Sequence, residues 1–425
     1  MEERLKPVAR TSGDAQAQRV GTPVHWHAGR ARPPPAPHTR FDQADFQPRL
    51  KTRLLVLQAT PFCNIRCDYC YLPDRDDTAR MSVSVACQSL QRLIDDDLLG
   101  TQLTVIWHAG EPLAMPLSFY EEAFEALRRV AGPRCTLIHA MQTNGLLIDA
   151  AWCAFFARRR VSVGVSVDGP AFLHDAHRRT RRGHGTHGRV MQGLACLREH
   201  GVPFHAIAVV TANTLAHAEA FINFFASLGA EVVGCNFDEA EGAYAASSIA
   251  AHEQAHHAFL EQVFDRATAS SGGLVVREQV QAQRLLAQAL PLVRWQGRAS
   301  PNNAQLLPFA IVNVAWNGDF GTFSPELLGQ PSADFAGFVL GNVGRCGYLE
   351  SSQGEPFQSL WAAVRRGTDA CQRTCTHFDY CGGGAPVNKL YENGRLDSAE
   401  TLYCRSMIKR PFDVALVQAE RHVHT

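Results

Sequence analysis

The chain has 425 residues, more than one compact core usually holds, so two domains are the expectation. Its 41 Lys and Arg balance 41 Asp and Glu, and this neutrality speaks against a nucleic-acid or membrane-surface role. The 13 cysteines are clustered rather than spread, which points to metal ligation in a reducing, cytoplasmic setting rather than to disulfides, and no apolar run reaches membrane-spanning length.

Residues 1–50 carry Pro33-Pro34-Pro35, Pro37 and scattered Arg and His without hydrophobic periodicity, and read as a flexible Pro/Arg-rich extension. His25 and His27 flank Trp26 as surface residues. The apolar run Leu54–Gln58 then reads as a buried strand, closed by Thr60-Pro61. Behind it comes Cys63-Asn-Ile-Arg-Cys67-Asp-Tyr-Cys70. Three thiolates on one short loop can hold three irons of a four-iron cluster and leave the fourth open, whereas electron-transfer clusters use four thiolates. A zinc knuckle completed by a histidine is the alternative.

Over residues 51–290, strands alternate with helices. The expected strands are Leu54–Gln58, Leu103–Trp107, Thr136–Met141, Val161–Val167, His205–Val210 and Glu231–Asn236. The expected helices are Ser82–Asp96, Ser118–Val130, Asp149–Arg158, Arg189–Glu199, Leu215–Leu228 and His252–Ala269. This order implies an α/β fold with a parallel sheet and right-handed crossovers, a partial (β/α)6 version of the eightfold TIM barrel, with its chemistry on loops after the strand C-termini. The cysteine loop sits at such a position. So do Ala109-Gly110-Glu111-Pro112, Gln142-Thr143-Asn144-Gly145 and Ser166-Val167-Asp168-Gly169-Pro170, the last followed by Arg178 and Arg189. Asp168-Gly169-Pro170 is also an ordinary turn sequence. Glu239 and Glu241 follow the sixth strand, where they either line a substrate channel or form an acidic solvated loop.

Residues 300–425 change character, with short apolar runs, many turns and helical periodicity only after about Ser406. Val312–Ala315 and Phe320–Phe323 form an expected hairpin across Asn317-Gly318. Cys371, Cys375, Cys381 and Cys404 suit a fully ligated four-iron cluster, with closed tetrahedral zinc as the alternative. Gly382-Gly383-Gly384 would let backbone wrap a bulky cluster and donate N–H groups to its sulfurs. Cys87, Cys135, Cys153, Cys196 and Cys235 read as small buried hydrophobes.

The Cys-x3-Cys-x2-Cys loop and the strand-end motifs, in this order, resemble the radical S-adenosylmethionine (SAM) superfamily. That resemblance implies a [4Fe–4S] cluster on Cys63, Cys67 and Cys70 whose open iron takes SAM. The aromatic Tyr69 before the last cysteine fits the pattern. Gly110, Glu111 and Pro112 match a Gly-Gly-Glu-Pro motif that receives the methionine ammonium, with Ala109 in place of the first glycine. Gln142, Asn144 and Asp168 fall among the cofactor contacts, and Ser166 with either Arg178 or Arg189 would hold the SAM ribose or carboxylate. Residues 300–425 resemble the SPASM extension of peptide- and protein-modifying members. The full extension carries two auxiliary clusters and has cysteines in the hairpin region; here Ser324 and Pro325 stand there and Cys346 is the nearest thiol, so one auxiliary [4Fe–4S] cluster is expected. Glu239-Ala-Glu241-Gly, Phe323-Ser-Pro-Glu326-Leu and Cys381-Gly-Gly-Gly-Ala-Pro-Val-Asn388-Lys389 look most like the cyclophane-forming peptide maturases. That branch implies a ribosomal precursor peptide as substrate, a reducing partner such as flavodoxin or ferredoxin, and Glu326 as catalytic base with Glu239 and Glu241 as alternatives. Sulfatase-maturase-like oxidation of a Cys or Ser side chain is the second reading. A zinc-stabilised binding protein is the third, and it leaves the strand-end motifs without a purpose.

Overall fold

In a computed structural model of the chain, the structure describes residues 40–269, 273–288, 290–332 and 334–423. The expectation for residues 1–39, with His25, Trp26 and His27, lies outside the described residues.

Six parallel strands form the centre of the sheet: β1 (Thr52–Gln58), β2 (Leu99–Trp107), β3 (Thr136–Thr143), β4 (Ser162–Ser166), β5 (Phe204–Val210) and β6 (Val233–Phe237). They lie side by side in chain order, and each neighbouring pair is parallel, as repeated crossovers require. Leu55, Leu57, Val105, Val165, Ala206 and Ala208 are fully buried at alternating positions on one face of the sheet, while Ile106, Ile207 and Val209 on the other face are only partly buried. The crossovers run through α1 (Val83–Asp95), α2 (Leu117–Ala131), α3 (Ala150–Arg159), α4 (His187–Glu199) and α5 (Ala218–Leu228); α6 (Glu253–Ala269) follows the last strand. Side-chain caps open two of these helices: Ser82 accepts from Val85 N at the start of α1, and Asp149 from Trp152 N at the start of α3. The helix expected over Leu215–Leu228 is broken, because His217 has non-helical dihedrals between Ala212–Leu215 and α5.

The remaining chain is not a detached unit. After α7 (Arg277–Ala287), strand β7 (Ile311–Ala315) pairs parallel with β1, and β8 (Asp319–Thr322) turns back across Asn317-Gly318. Gly318 takes φ +89, which the tight turn requires. With β9 (Gly341–Asn342) the described sheet reaches nine strands, ordered β9-β8-β7-β1-β2-β3-β4-β5-β6. The sheet thus runs through the boundary expected near residue 300.

Two expectations are corrected. Residues 40–50 are docked: Phe41 and Phe46 are buried in an aromatic cluster with Trp295, Phe357 and Trp361, and Phe46–Gln47 pairs with Leu292–Trp295. Burying two Phe side chains contributes about 1.5–3 kcal/mol each, enough to hold a short segment. Helical structure also returns well before Ser406, in α8 (Glu355–Thr374) and α9 (Pro386–Asn393), ahead of α10 (Arg410–Val423). Phe357, Leu360, Trp361 and Val364 do follow helical spacing and are buried. Beyond them the inward face of α8 turns to Gly367, Thr368 and Cys371, which hides the period from an apolar count.

Candidate functional site

The cysteine loop is held from two sides. Ile65–Cys67 pairs antiparallel with Arg178–Thr180, and Cys67 faces Arg178 in that register. From the other side, Glu111 N donates to Phe62 O at 2.7 Å. Gly110 makes this approach possible: at φ +58, a Cβ there would lie 2.3 Å from Thr60 O and 2.7 Å from Phe62 O. Ala109 also adopts a positive φ, +71, so the alanine in the family's first glycine position is strained but accommodated.

Glu111 is buried, and its carboxylate accepts from Leu113 N at 2.9 Å, Thr143 Oγ1 at 2.7 Å and Asn144 N at 2.8 Å. Burial pushes its pKa up despite these donors. The carboxylate thereby ties the loop after β2 to the loop after β3. Asn144 reaches on to the cysteine loop, with Nδ2 2.7 Å from Asn64 Oδ1 and 3.8 Å from Cys63 Sγ. Gln142 Nε2 donates to Ser166 Oγ at 3.0 Å between the neighbouring strands β3 and β4. Gly164 leaves room for it, since a Cβ there would meet Gln142 Oε1 at 2.1 Å and His205 Nε2 at 2.5 Å.

The turn at Asp168 proves to be a buried ionic node. Arg178 Nε donates to Asp168 Oδ2 at 2.9 Å, Tyr69 donates its hydroxyl to the same oxygen, and Val209 N donates to Oδ1 at 3.0 Å. Burial raises the Asp168 pKa, but the Arg178 charge and these bonds outweigh it and leave the carboxyl below its ordinary value. Arg178 also points Nη1 at Cys67 Sγ, 3.9 Å away. The two candidate arginines thus part company. Arg178 is locked behind the cysteine loop, while Arg189 is exposed at the rim and donates to Leu146 O at 3.5 Å.

The second cysteine set converges from four local structures. Cys371 lies in the last turn of α8, Cys375 caps that helix, Cys381 ends the short helix Phe378–Cys381, and Cys404 opens a π-helical turn, Cys404–Lys409. All four line one cavity, with Glu400 and Lys409 in its wall. Gly383 N donates to Cys381 Sγ at 3.4 Å and Thr401 Oγ1 to Cys404 Sγ at 3.2 Å. Lys389 is almost fully buried, and its Nζ lies 3.3 Å from Cys371 Sγ. A buried ammonium needs an anion beside it, and the neighbour here is a sulfur. Tetrahedral zinc with sulfur at about 2.3 Å holds its sulfurs about 3.8 Å apart. No three cysteines of either set have their sulfurs within 4.8 Å of one another, a wider spread than one tetrahedral ion would hold. All 13 cysteines, each within the described residues, are free thiols.

A group of carboxylates gathers near Tyr71, next to Cys70, and near Tyr403, next to Cys404. Glu239 and Glu241 come from the loop after β6, Glu326 from the turn after β8 and Glu392 from α9. Phe323, at φ +74, turns the chain so that this loop returns toward β1, where Gln58 Nε2 donates to Pro325 O at 3.3 Å. Ser324 donates its hydroxyl to Glu326 and Asn388 donates Nδ2 to Glu239. Tyr71, adjacent to Cys70, feels the charges of Glu326 and Glu241, and its hydroxyl sits 3.4 Å from His108 Nε2. Burial, then mutual repulsion with Glu392 and Glu326, pushes Glu239 up to about 8; burial and the charges of Glu326 and Glu239 hold Glu241 well above the carboxylate range, and burial raises Glu326. The acidic solvated loop is therefore overturned: these groups are partly buried and electrostatically coupled. Sequence reasoning missed Glu392, Tyr71, His108 and Lys389. Asn388 and Glu392 share a helix face at i,i+4 spacing, which was the available signal for the first.

The raised pKa of Glu239 has a stability consequence with a definite sign. Its folded-state value lies above the unfolded one, so the folded state holds the proton more tightly and stability falls as pH rises from about 4.5 to 8. Glu239→Gln keeps the acceptor for Asn388 and removes the charge. Its melting temperature should exceed wild type above pH 8, by about 1 °C per kcal/mol of relieved repulsion for a chain of this length, with no gain below pH 4.5. Melting curves of the intact protein across pH check this; an equal gain at every pH would remove the titration from the account.

The sequence model of the Radical SAM superfamily matches residues 57–225. An uncharacterized protein of Synechocystis sp., sll1766, is 35% identical over 371 residues, spanning 86% of this chain and 91% of that one. A serine-type anaerobic sulfatase-maturating enzyme of Bacteroides thetaiotaomicron is 35% identical over 177 residues, 40% of this chain and 42% of that enzyme, so the match spans under half its length. Among solved structures, native anSMEcpe with bound AdoMet superposes with a TM-score of 0.67 at 22% identity, over 88% of this chain and 99% of that one. Streptococcus suis SuiB bound to precursor peptide SuiA superposes with a TM-score of 0.58 at 15% identity, over 83% and 76%. At such identities the structures establish the fold.

Proposed function

The chain belongs to the radical SAM superfamily, and from that premise we propose that it modifies a ribosomal precursor peptide by joining an aromatic ring carbon to the β-carbon of a nearby residue. The observation that carries this reading is the coupled carboxylate group, Glu326 with Glu239 and Glu241, beside Tyr71 and hence one residue from Cys70. The core binds a [4Fe–4S] cluster and SAM, which together supply a hydrogen-abstracting 5′-deoxyadenosyl radical, and an auxiliary cluster supplies an acceptor for one electron. Cys63, Cys67 and Cys70 would hold the first, and Cys371, Cys375, Cys381 and Cys404 the second. Ser166, Gln142 and Asn144, gathered at the strand ends with Asn144 reaching Cys63, would position the cofactor, while the Asp168–Arg178–Tyr69 node holds the cysteine loop.

Forming a bond to an aromatic carbon leaves one ring proton to be removed. Glu326 is the base of this reading: burial raises its proton affinity toward that of a useful acceptor, and the Ser324 hydroxyl orients it. Glu239 and Glu241 keep the neighbourhood proton-rich and help to place the peptide.

Co-expression with a short neighbouring gene rich in aromatic residues should yield a peptide lighter by two hydrogens for each linkage, with no fragment ions between the joined residues. The stretch shared with a sulfatase-maturating enzyme favours a second reading, oxidation of a Cys or Ser side chain. An aldehyde in the product, captured by a hydrazine, would select that reading over the crosslink.

In this reading the hairpin adds no ligand. Ser324 faces Glu326, and Cys346 Sγ points at Asn342 O, 3.8 Å away. Anaerobically reconstituted protein should therefore contain about eight irons per chain, falling to about four in Cys375→Ala. About twelve irons would disprove the single auxiliary cluster.

A further inference from the structure

Away from the barrel mouth, three donor residues meet between α3 and α4. Cys153 lies in α3, Cys196 in the last turn of α4, and His200 caps the C-terminus of α4. The two Sγ atoms are 3.4 Å apart, and Cys196 Sγ is 3.7 Å from His200 Nδ1. All three donor atoms lie within 4.8 Å of one another, and among the described residues no other group of three Cys, His, Asp or Glu side chains does.

A tetrahedral ion with sulfur at about 2.3 Å and nitrogen at about 2.0 Å has S–S edges of about 3.8 Å and S–N edges of about 3.5 Å. Both observed edges fall close to these lengths. Neither of the other two cysteine sets brings three sulfurs within 4.8 Å of one another. Cys196 and His200 stand at i,i+4 and face the same way, and Cys153 comes from the neighbouring helix without exposure. His200 is exposed, which leaves the fourth position open to water. The negative pole at the end of α4 favours a cation there.

We infer that Cys153, Cys196 and His200 form a third metal site, separate from both cysteine cages, for a single thiophilic divalent cation, with zinc as the fitting ion. Two metal–sulfur bonds and one metal–nitrogen bond form, two thiol protons leave to solvent, and nothing is oxidised. Nδ1 of His200 also lies 2.9 Å from Cys196 O. Ligation through Nδ1 moves the ring proton to Nε2 and gives up that bond. The ion would staple α3 to α4, the helices that follow the strands ending at Thr143 and Ser166.

The test uses the full chain with its iron reconstituted anaerobically and loosely bound metal removed on a chelating resin. Zn2+ is then titrated in, with zinc and iron measured by mass spectrometry and the melting temperature followed. About one zinc per chain should bind beyond the iron, iron should stay constant, and the melting temperature should rise with free zinc. Cys196→Ser and His200→Ala should each weaken zinc binding more than about tenfold and abolish the thermal gain, with iron content and SAM cleavage unchanged. His200 is exposed, so its variant serves even where the serine variant folds poorly. The inference is overturned if wild type binds no zinc, if both variants bind it as wild type does, or if peptide mapping of anaerobic wild type finds Cys153 and Cys196 joined as a disulfide in its place.

Discussion

Replacing Cys63 by alanine is expected to stop the formation of 5′-deoxyadenosine from SAM under dithionite. Cys63 is one of three buried or half-buried sulfurs on a loop clamped by Gly110 and by the strand pairing of Cys67 with Arg178. Burial, reinforced by Glu111 and the other two cysteines, pushes its thiol up to about 12, so it becomes a thiolate at neutral pH only through a bound metal. Two remaining sulfurs cannot hold a four-iron cluster open at a single corner. Iron should fall from about eight to about four per chain, and the residual iron should belong to the Cys371 set. The measurement is chromatography of the nucleoside product together with iron analysis. Cleavage at the wild-type rate by this variant would sink the cluster assignment and with it the proposed chemistry.

Glu326→Gln should produce the opposite split. Its carboxylate lies among Glu239, Glu241, Tyr71 and Tyr391 rather than among the groups around Cys63, so SAM cleavage should persist. Crosslinked peptide should drop by about 10²–10⁴-fold, the usual contribution of a positioned base. In wild type, product formation should rise with pH, because burial raises the pKa of Glu326 and only its deprotonated form accepts a proton. Full crosslinking by Glu326→Gln would remove it from the mechanism, and Glu239 or Glu241 would be tested next.

The barrel was legible because its signals are local. Each parallel strand is a short apolar run between turn residues, and each helix up to residue 210 carries its own period or cap. Cys63, Cys67 and Cys70 were legible for the same reason, being fixed by spacing on one loop. The docking of residues 40–50 was not, because two isolated Phe residues acquire meaning only against Trp295, Phe357 and Trp361, some 250 positions or more away. Helix α8 was obscured because the buried face of its last two turns carries Gly367, Thr368 and Cys371 in place of large apolar residues.

The amino-acid order by itself determined the strand–helix alternation, the thiol-bearing loops and the strand ends where polar residues gather, since these depend on neighbours a few positions apart. Only the tertiary structure decided which of Arg178 and Arg189 turns inward, that Glu239, Glu241, Glu326 and Glu392 share one partly buried neighbourhood, and that Cys153, Cys196 and His200 meet outside the barrel. Charge and burial act through space. A carboxylate's proton affinity, or a thiol's fitness to bind metal, is set by groups that folding brings beside it from distant parts of the chain.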